Sequence, residues 1–279
     1  MNNVSKVDNI YLSLCDQLIR YGRPVGNTHE LRNIKFTLPD ITDNIVSVRE
    51  ISAPYMFGEL LWYFGADNST EFISKFGSKW SKISDDGVTN NSAYGYRAMK
   101  EFGFNQIDKV VELLQKDPES RRAVINLNVP NENMIETKDE PCTIALQFYI
   151  RDRKLYCTGM MRSNDIWYGL PYDIIFFTEL QKRIADRLTC GYGTYTHFAV
   201  SLHMYDRDKE KIEKILSNPK STKIVFDRNE FWKNMAFVKA LMDAATKHCD
   251  SHYVKSLMLK FAKTFFKYEE GEKDADQSI

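Results

Sequence analysis

Two strand-like segments, Thr143 to Arg151 and Leu155 to Met161, are joined by an Asp152-Arg153 turn and followed, after Asp173, by a long apolar stripe. β-branched and aromatic residues dominate both segments, so together they read as a hairpin. In the stripe, Ile174, Phe177, Leu180, Ile184 and Leu188 recur three or four residues apart, which is the period of a helix. That helix should be central and largely buried. A hairpin leading into a buried helix confines the chain to the α/β (α+β) class, with sheet and helices packed in one core.

The flanking sequence supplies more of both element types. Val7 to Arg20 predicts an amphipathic helix ending at Gly22-Arg23-Pro24, and Leu31 to Leu38 predicts a short strand. Ser52 to Phe64 predicts an apolar helix with Ala53, Phe57, Leu60, Leu61 and Phe64 on one face. Asp67 to Phe104, rich in Asn, Ser, Gly and Asp, predicts short helices among loops that carry function. A helix is expected over Gln106 to Gln115, strands over Ala123 to Val129 and Phe198 to Tyr205, and a charged helix over Lys209 to Leu216. Lys223 to Asp227 reads as a short strand, and the chain is helical again from Phe231. One catalytic domain is expected over residues 1–279, with the polar stretch 269–279 a mobile tail.

Composition narrows the function classes. The 279 residues are 43% hydrophobic and 13% aromatic, enough for one large core, and the formal net charge is zero. A neutral chain has no general attraction to nucleic acid or to a membrane surface, so anion binding must come from grouped arginines and the substrate is expected to be small. No segment nears the roughly 18 apolar residues of a membrane span, and no signal-peptide run opens the chain. The five cysteines, Cys15, Cys142, Cys157, Cys190 and Cys249, form neither a C-x-x-C pair nor a metal spacing. A reducing cytoplasm and no bound metal are expected.

Several side chains can carry chemistry. Cys142 follows Pro141 at the mouth of a predicted strand. A nucleophilic thiolate needs nearby positive charge, which Arg162 on the neighbouring hairpin strand is placed to supply; the alternative is a buried structural thiol. Arg23, the Arg121-Arg122 pair, and Arg162 beside Ser163 offer guanidinium forks and a hydroxyl suited to a phosphate dianion, with solvated surface charge as the alternative. Glu59, inside Phe57-Gly58-Glu59-Leu60-Leu61-Trp62, should be partly desolvated and so raised toward proton-transfer range, unless it sits at the helix edge. His203 and Tyr205, two apart on one strand, share a face and can hold sugar hydroxyls, unless His203 is a core histidine.

An ordered set of motifs spans about Arg23 to Asp206. It comprises Gly58-Glu59-Leu60-Leu61-Trp62, Trp80, Tyr94-Gly95, Asp117-Pro118-Glu119-Ser120-Arg121-Arg122, Pro141-Cys142, Gln147-Phe148-Tyr149, Arg162-Ser163-Asn164-Asp165, Gly169-Leu170-Pro171 and His203-Met204-Tyr205. This set resembles the thymidylate synthase family. The resemblance implies a large mixed β-sheet packed by helices around the long central helix. It further implies that Cys142 attacks C6 of a pyrimidine nucleotide, that Arg23, Arg162 and Ser163 hold the 5′-phosphate, and that Arg121 and Arg122 reach in from the partner of a homodimer. His203 and Tyr205 would bind the ribose side. Trp80, Asp165, Gly169 and Leu170 would line the site of the co-substrate 5,10-methylenetetrahydrofolate, and Glu59 and Tyr94 would belong to the catalytic group.

Four departures from the family pattern bear on the substrate. Asp173 stands where the family has asparagine, Thr143 replaces histidine after the nucleophile, Met161 replaces glutamine before the arginine, and the C-terminus lacks the closing apolar segment. The first three are similar to the deoxycytidylate/cytidylate 5-hydroxymethylase branch. An ionised aspartate only accepts hydrogen bonds, so it suits cytosine's 4-amino group and a proton gained at N3, and it opposes uracil's O4. The expected reaction is therefore 5-hydroxymethylation of dCMP or CMP with methylenetetrahydrofolate and water, through a Cys142–C6 adduct and an exocyclic methylene. The polar tail ending Asp276-Gln277-Ser278-Ile279 favours admission of water over hydride transfer. Thymidylate synthesis or dUMP hydroxymethylation is the alternative, and a nucleotide- or RNA-binding protein that keeps the fold alone is a third. No residue decides between ribose and deoxyribose.

Overall fold

A computed structural model of the protein describes residues 4–128, 136–221 and 224–268. It begins with helix α1 (Lys6–Tyr21), capped by the Ser5 side chain, and strands β1 (Arg23–Val25) and β2 (Thr28–Leu38). Helix α2 (Ala53–Phe64) follows, then the short helices α3 (Thr70–Ser74), α4 (Lys79–Ile83) and α5 (Tyr94–Met99), and helix α6 (Gln106–Lys116). The Asn, Ser and Asp side chains that made 67–104 look loop-like cap these helices or brace their loops; Ser69, for example, accepts from the Phe72 amide. Strands β3 (Ala123–Asn126), β4 (Thr143–Arg151) and β5 (Lys154–Asp165) lead into helix α7 (Leu170–Arg187) and strand β6 (Gly191–Tyr205). The chain continues with α8 (Lys209–Ser217), β7 (Ile224–Phe226), α9 (Arg228–His248), α10 (Ser251–Phe265) and β8 (Phe266–Tyr268).

Six strands form one sheet in the order β1-β2-β6-β5-β4-β3. β5 and β6 are parallel and every other pair in it is antiparallel, so the sheet is mixed as expected. Parallel neighbours require a crossover, and α7 provides it. Ile174, Phe177, Leu180 and Ile184 are at most 1% exposed, which places the expected buried helix at the centre of the core. Gln181, on the same helix, donates from Nε2 to the Leu155 carbonyl at 2.9 Å and so ties helix to sheet.

Several boundaries differ from the sequence reading. β5 and β6 are each longer than expected, so Arg162, Ser163 and Asp165 lie on a strand. β3 ends at Asn126, and Val129 lies outside the described residues, as do Lys223 and the tail 269–279. The helical region beyond Phe231 is two helices, because Asp250 breaks the run and caps α10 through the Tyr253 amide. The apolar side of α10 packs on α2, with the Phe57 ring 5.9 Å from Phe261 and 5.8 Å from Phe265. α5 approaches α2 closely at Gly95, where a Cβ would overlap the Tyr63 carbonyl; this contact sets Tyr94 beside the sheet. Among the described residues no helix is long and apolar enough to cross a membrane.

Candidate active site

Cys142 lies at the entry to β4, half-buried, and is locked to β5 by a hydrogen bond from the Arg162 amide to its carbonyl at 2.8 Å. Arg162 is exposed, yet its guanidinium is anchored: Nε donates to the Pro141 carbonyl at 3.1 Å and Nη2 to the Glu140 carbonyl at 2.7 Å. One arginine therefore fixes the loop that presents the thiol and keeps positive charge beside it. Burial pushes the Cys142 thiol up, Arg162 opposes that, and Asp173 adds to the rise. Positive charge or a hydrogen-bond donor at the sulfur is needed to make the thiolate here.

Asp173 sits half-buried in the first turn of α7, where Asn164 donates from Nδ2 to its Oδ2 at 2.7 Å. Burial, reinforced by the Glu59 charge, pushes the Asp173 carboxyl up to about 7; Asn164 and Lys79 pull it the other way. Glu59 is 7% exposed on α2 and accepts from the Tyr55 hydroxyl at 2.7 Å, which in turn accepts from Trp80 Nε1 at 3.2 Å. Burial raises Glu59 as well, against Lys79 and hydrogen bonds from Tyr55 and Tyr63. Tyr94, 5% exposed, is held protonated chiefly by burial and then by the Asp173 and Cys142 charges. Cys142, Glu59, Asp173 and Tyr94 thus form one electrostatically coupled group. Tyr55 and Lys79 belong to it too and were not foreseen, although Tyr55 stands one helical turn before Glu59 and Lys79 adjoins Trp80.

A second row of polar side chains crosses the sheet. Arg23 on β1 pairs with Glu30 on β2, Glu30 with His203 on β6, and His203 with Asp165 on β5. Ser163 Oγ lies 3.4 Å from His203 Nδ1, and the His203 and Tyr205 rings stand edge to face at 5.4 Å, so these two do share a face. Burial lowers the His203 pKa and favours a neutral ring. Glu30, which accepts from Ser201 Oγ at 2.7 Å, is an unforeseen member of the row. Arg23 is exposed and lines a depression of about 540 Å³ with Glu30 and Arg32. Arg121 and Arg122 are exposed and stand apart from this group. Ala123, next in sequence, pairs with Phe148, and Phe148 is six residues along β4 from Cys142, or roughly 20 Å. Within one chain the pair cannot share an anion with Arg162.

The residues expected against the folate differ in what they can offer. Trp80 is 5% exposed, its ring packed 5.0 Å from Trp62 with the Lys79 ammonium over it. Asp165 is half-buried and holds the Trp167 and Tyr168 amides through Oδ1, at 2.8 and 3.2 Å, leaving Oδ2 available. Gly169 is partly open, and a Cβ there would sit 3.1 Å from Asn164 Nδ2. Leu170 is 0% exposed because it opens α7 inside the core, so it has no surface for a ligand and drops out of the expected set. Asp165 and Gly169, with the half-buried Trp167 and the exposed Tyr168 beside them, fit one edge of a flat polar ring system. Among the described residues no group of three or more His, Cys, Asp or Glu side chains is arranged to hold a metal ion.

Comparison with known proteins places the chain in a family. The family described as Thymidylate synthase matches residues 9–243. A putative thymidylate synthase of Methanocaldococcus jannaschii is 33% identical over 218 residues, covering 75% of this chain and 92% of the relative. A thymidylate synthase of Vesicomyosocius okutanii is 28% identical over 221 residues, covering 73% and 82%. A deoxyuridylate hydroxymethyltransferase of Bacillus phage SP01 is 29% identical over 220 residues, covering 72% of this chain but only 57% of the relative. Among solved structures, thermostable thymidylate synthase A from Bacillus subtilis superposes with a TM-score of 0.67 at 21% identity, covering 79% of this chain and 88% of that one, which shows a common fold. The class so defined is that of one-carbon transferases acting with methylenetetrahydrofolate. This chain belongs to the thymidylate synthase family.

Proposed function

We propose that the protein 5-hydroxymethylates a cytidine nucleotide, dCMP or CMP, through covalent attack by Cys142 at C6 of the base. The observation that carries this reading is Asp173: a carboxylate coupled to Cys142, where an acceptor can read the 4-amino group of cytosine. Arg162 and Ser163 hold the 5′-phosphate, together with Arg23. The dianion pairs with the Arg162 guanidinium and so sets the base beside the thiol. Once the thiolate has added, N3 gains a proton that Asp173 stabilises, and C5 becomes nucleophilic. Methylenetetrahydrofolate supplies the one-carbon unit, with Asp165, Gly169 and the edge of Trp80 the residues that would meet it. Glu59, held by Tyr55, orients the water that completes the hydroxymethyl group, and Tyr94 holds a proton beside Asp173 and Cys142. His203 and Tyr205 take the ribose side.

The working unit is a homodimer. The α7-distal face of the sheet carries Tyr149, Tyr156, Thr158, Met160 and Phe198 half-buried and Val200 42% exposed, an apolar surface suited to a second copy. Such a copy gives the otherwise remote Arg121 and Arg122 a phosphate to reach.

A second reading, action on dUMP, has a specific support. With its carboxyl up at about 7, Asp173 is protonated in part of the population at neutral pH and can then donate to uracil's O4. Two phage relatives are deoxyuridylate hydroxymethyltransferases. Measuring kcat/KM for dCMP, CMP and dUMP in the intact enzyme and in Asp173→Asn separates the two. The proposal expects a cytidylate preference that Asp173→Asn removes or reverses. A uridylate preference insensitive to that substitution would overturn it.

A further inference from the structure

We propose that Asn164 is a positioning residue for base selection, aiming the Asp173 carboxylate by gripping one of its two oxygens and leaving the other to the base. This rests on the base-reading role proposed for Asp173.

The geometry is narrow. Asn164 is 2% exposed on β5, and among the described residues its side chain makes one hydrogen bond, from Nδ2 to Asp173 Oδ2 at 2.7 Å, while its Oδ1 is buried with no partner there. An unpaired buried acceptor costs free energy, so the amide keeps this orientation for what Nδ2 does. An N–H facing Oδ2 requires that oxygen to accept, so any carboxyl proton on Asp173 must reside on Oδ1. Asn164 therefore decides which oxygen changes from acceptor to donor. Gly169 makes room for the amide: a Cβ there would stand 3.1 Å from Nδ2. The Asp173 amide meanwhile donates to the Gly169 carbonyl at 3.0 Å, so the same turn holds both partners.

The other charged or titratable groups facing Asp173 are Glu59 and Tyr63 on α2, Lys79 on α4, Tyr94 on α5, Cys142 before β4, Asp165 on β5 and Tyr195 on β6. Asn164 is unique among these in touching the carboxylate with an uncharged donor. Its hydrogen bond favours the ionised form, the form that accepts from cytosine's amine. Removing the donor must raise the carboxyl further, so the acid limb of cytidylate turnover moves to higher pH.

The test compares kcat/KM for dCMP and dUMP across pH 5.5 to 9 in the intact enzyme, Asn164→Ala, Asn164→Ser, Asp173→Asn and the double variant Asn164→Ala/Asp173→Asn. Asn164→Ala should lose about tenfold or more of the cytidylate-over-uridylate preference, the size of one hydrogen bond to a charged group, and its acid limb should shift upward. Asn164→Ser, which keeps a donor, should regain part of both. In the Asp173→Asn background the alanine change should leave the preference where Asp173→Asn alone puts it, because Asn164 acts through Asp173. If Asn164→Ala keeps the preference and the pH limb of the intact enzyme, or shifts them equally without Asp173, the inference fails. An Asn164→Ala chain that does not fold leaves the decision to Asn164→Ser, whose shorter donor should give a partial loss of preference with an upward-shifted acid limb; preference and acid limb equal to those of the intact enzyme overturn the inference. An intact enzyme without cytidylate preference overturns the base-reading role itself, a result distinct from any of these.

Discussion

Thr143 and Met161, two of the residues that depart from the family pattern, are cross-strand partners, and the threonine hydroxyl donates to the methionine sulfur at 3.5 Å. Both are buried, at 0% and 1% exposure. The two exchanges form one unit under the nucleophile.

This contact makes the pair testable as a unit. Thr143→Val should cost about 1 kcal/mol, because it removes the buried hydroxyl's bond to Met161 while keeping shape. Met161→Leu, close in volume, should cost less than about 1.5 kcal/mol. The double variant should depart from the sum by about 0.5 kcal/mol or more. Urea denaturation of the four proteins reads this, and strict additivity would show that the contact carries no energy.

The position of Arg121 and Arg122 predicts subunit complementation. Cys142→Ser alone, and Arg121→Ala/Arg122→Ala alone, should each be nearly inactive. After mixed refolding, half the dimers are hybrids with one intact site, so about a quarter of the activity should return. No recovery on mixing, with both parents inactive, would show that the arginines do not act across the subunit interface.

Asp173 predicts a stability that depends on pH. A carboxyl near 3.9 when unfolded and raised to about 7 when folded binds its proton more tightly in the native state. Its destabilising effect therefore grows as pH rises from about 4 to about 7 and is complete above that. Asp173→Asn should be more stable than the intact enzyme by about 1–3 kcal/mol at pH 8 and nearly equal to it at pH 4. Equal stability at both pH values would mean that the carboxyl is not raised.

Much of this architecture is legible in the sequence, because it rests on local periodicity. The stripe from Ile174 to Leu188 and the Asp152-Arg153 hairpin are complete in short windows. The longer extent of β6 is harder to see, since Gly191 and Gly193 weaken its first half as a strand signal. Strand order and register depend on long-range pairing, so the row Arg23, Glu30, His203, Asp165 has no sequence trace. The same holds for Asn164 and Asp173, which meet only because β5 turns into α7 at Gly169. Leu170 misled for a related reason: its motif neighbours face the site, while the first turn of α7 directs Leu170 itself into the core.

The central claim is that a cytidine nucleotide enters and a hydroxymethyl group leaves on it. The most direct measurement incubates the enzyme with dCMP or CMP and labelled methylenetetrahydrofolate, then identifies both the base and the folate product by mass spectrometry. The account predicts 5-hydroxymethylcytidylate with tetrahydrofolate left unoxidised. A methylated base accompanied by dihydrofolate, or turnover confined to dUMP, would contradict it.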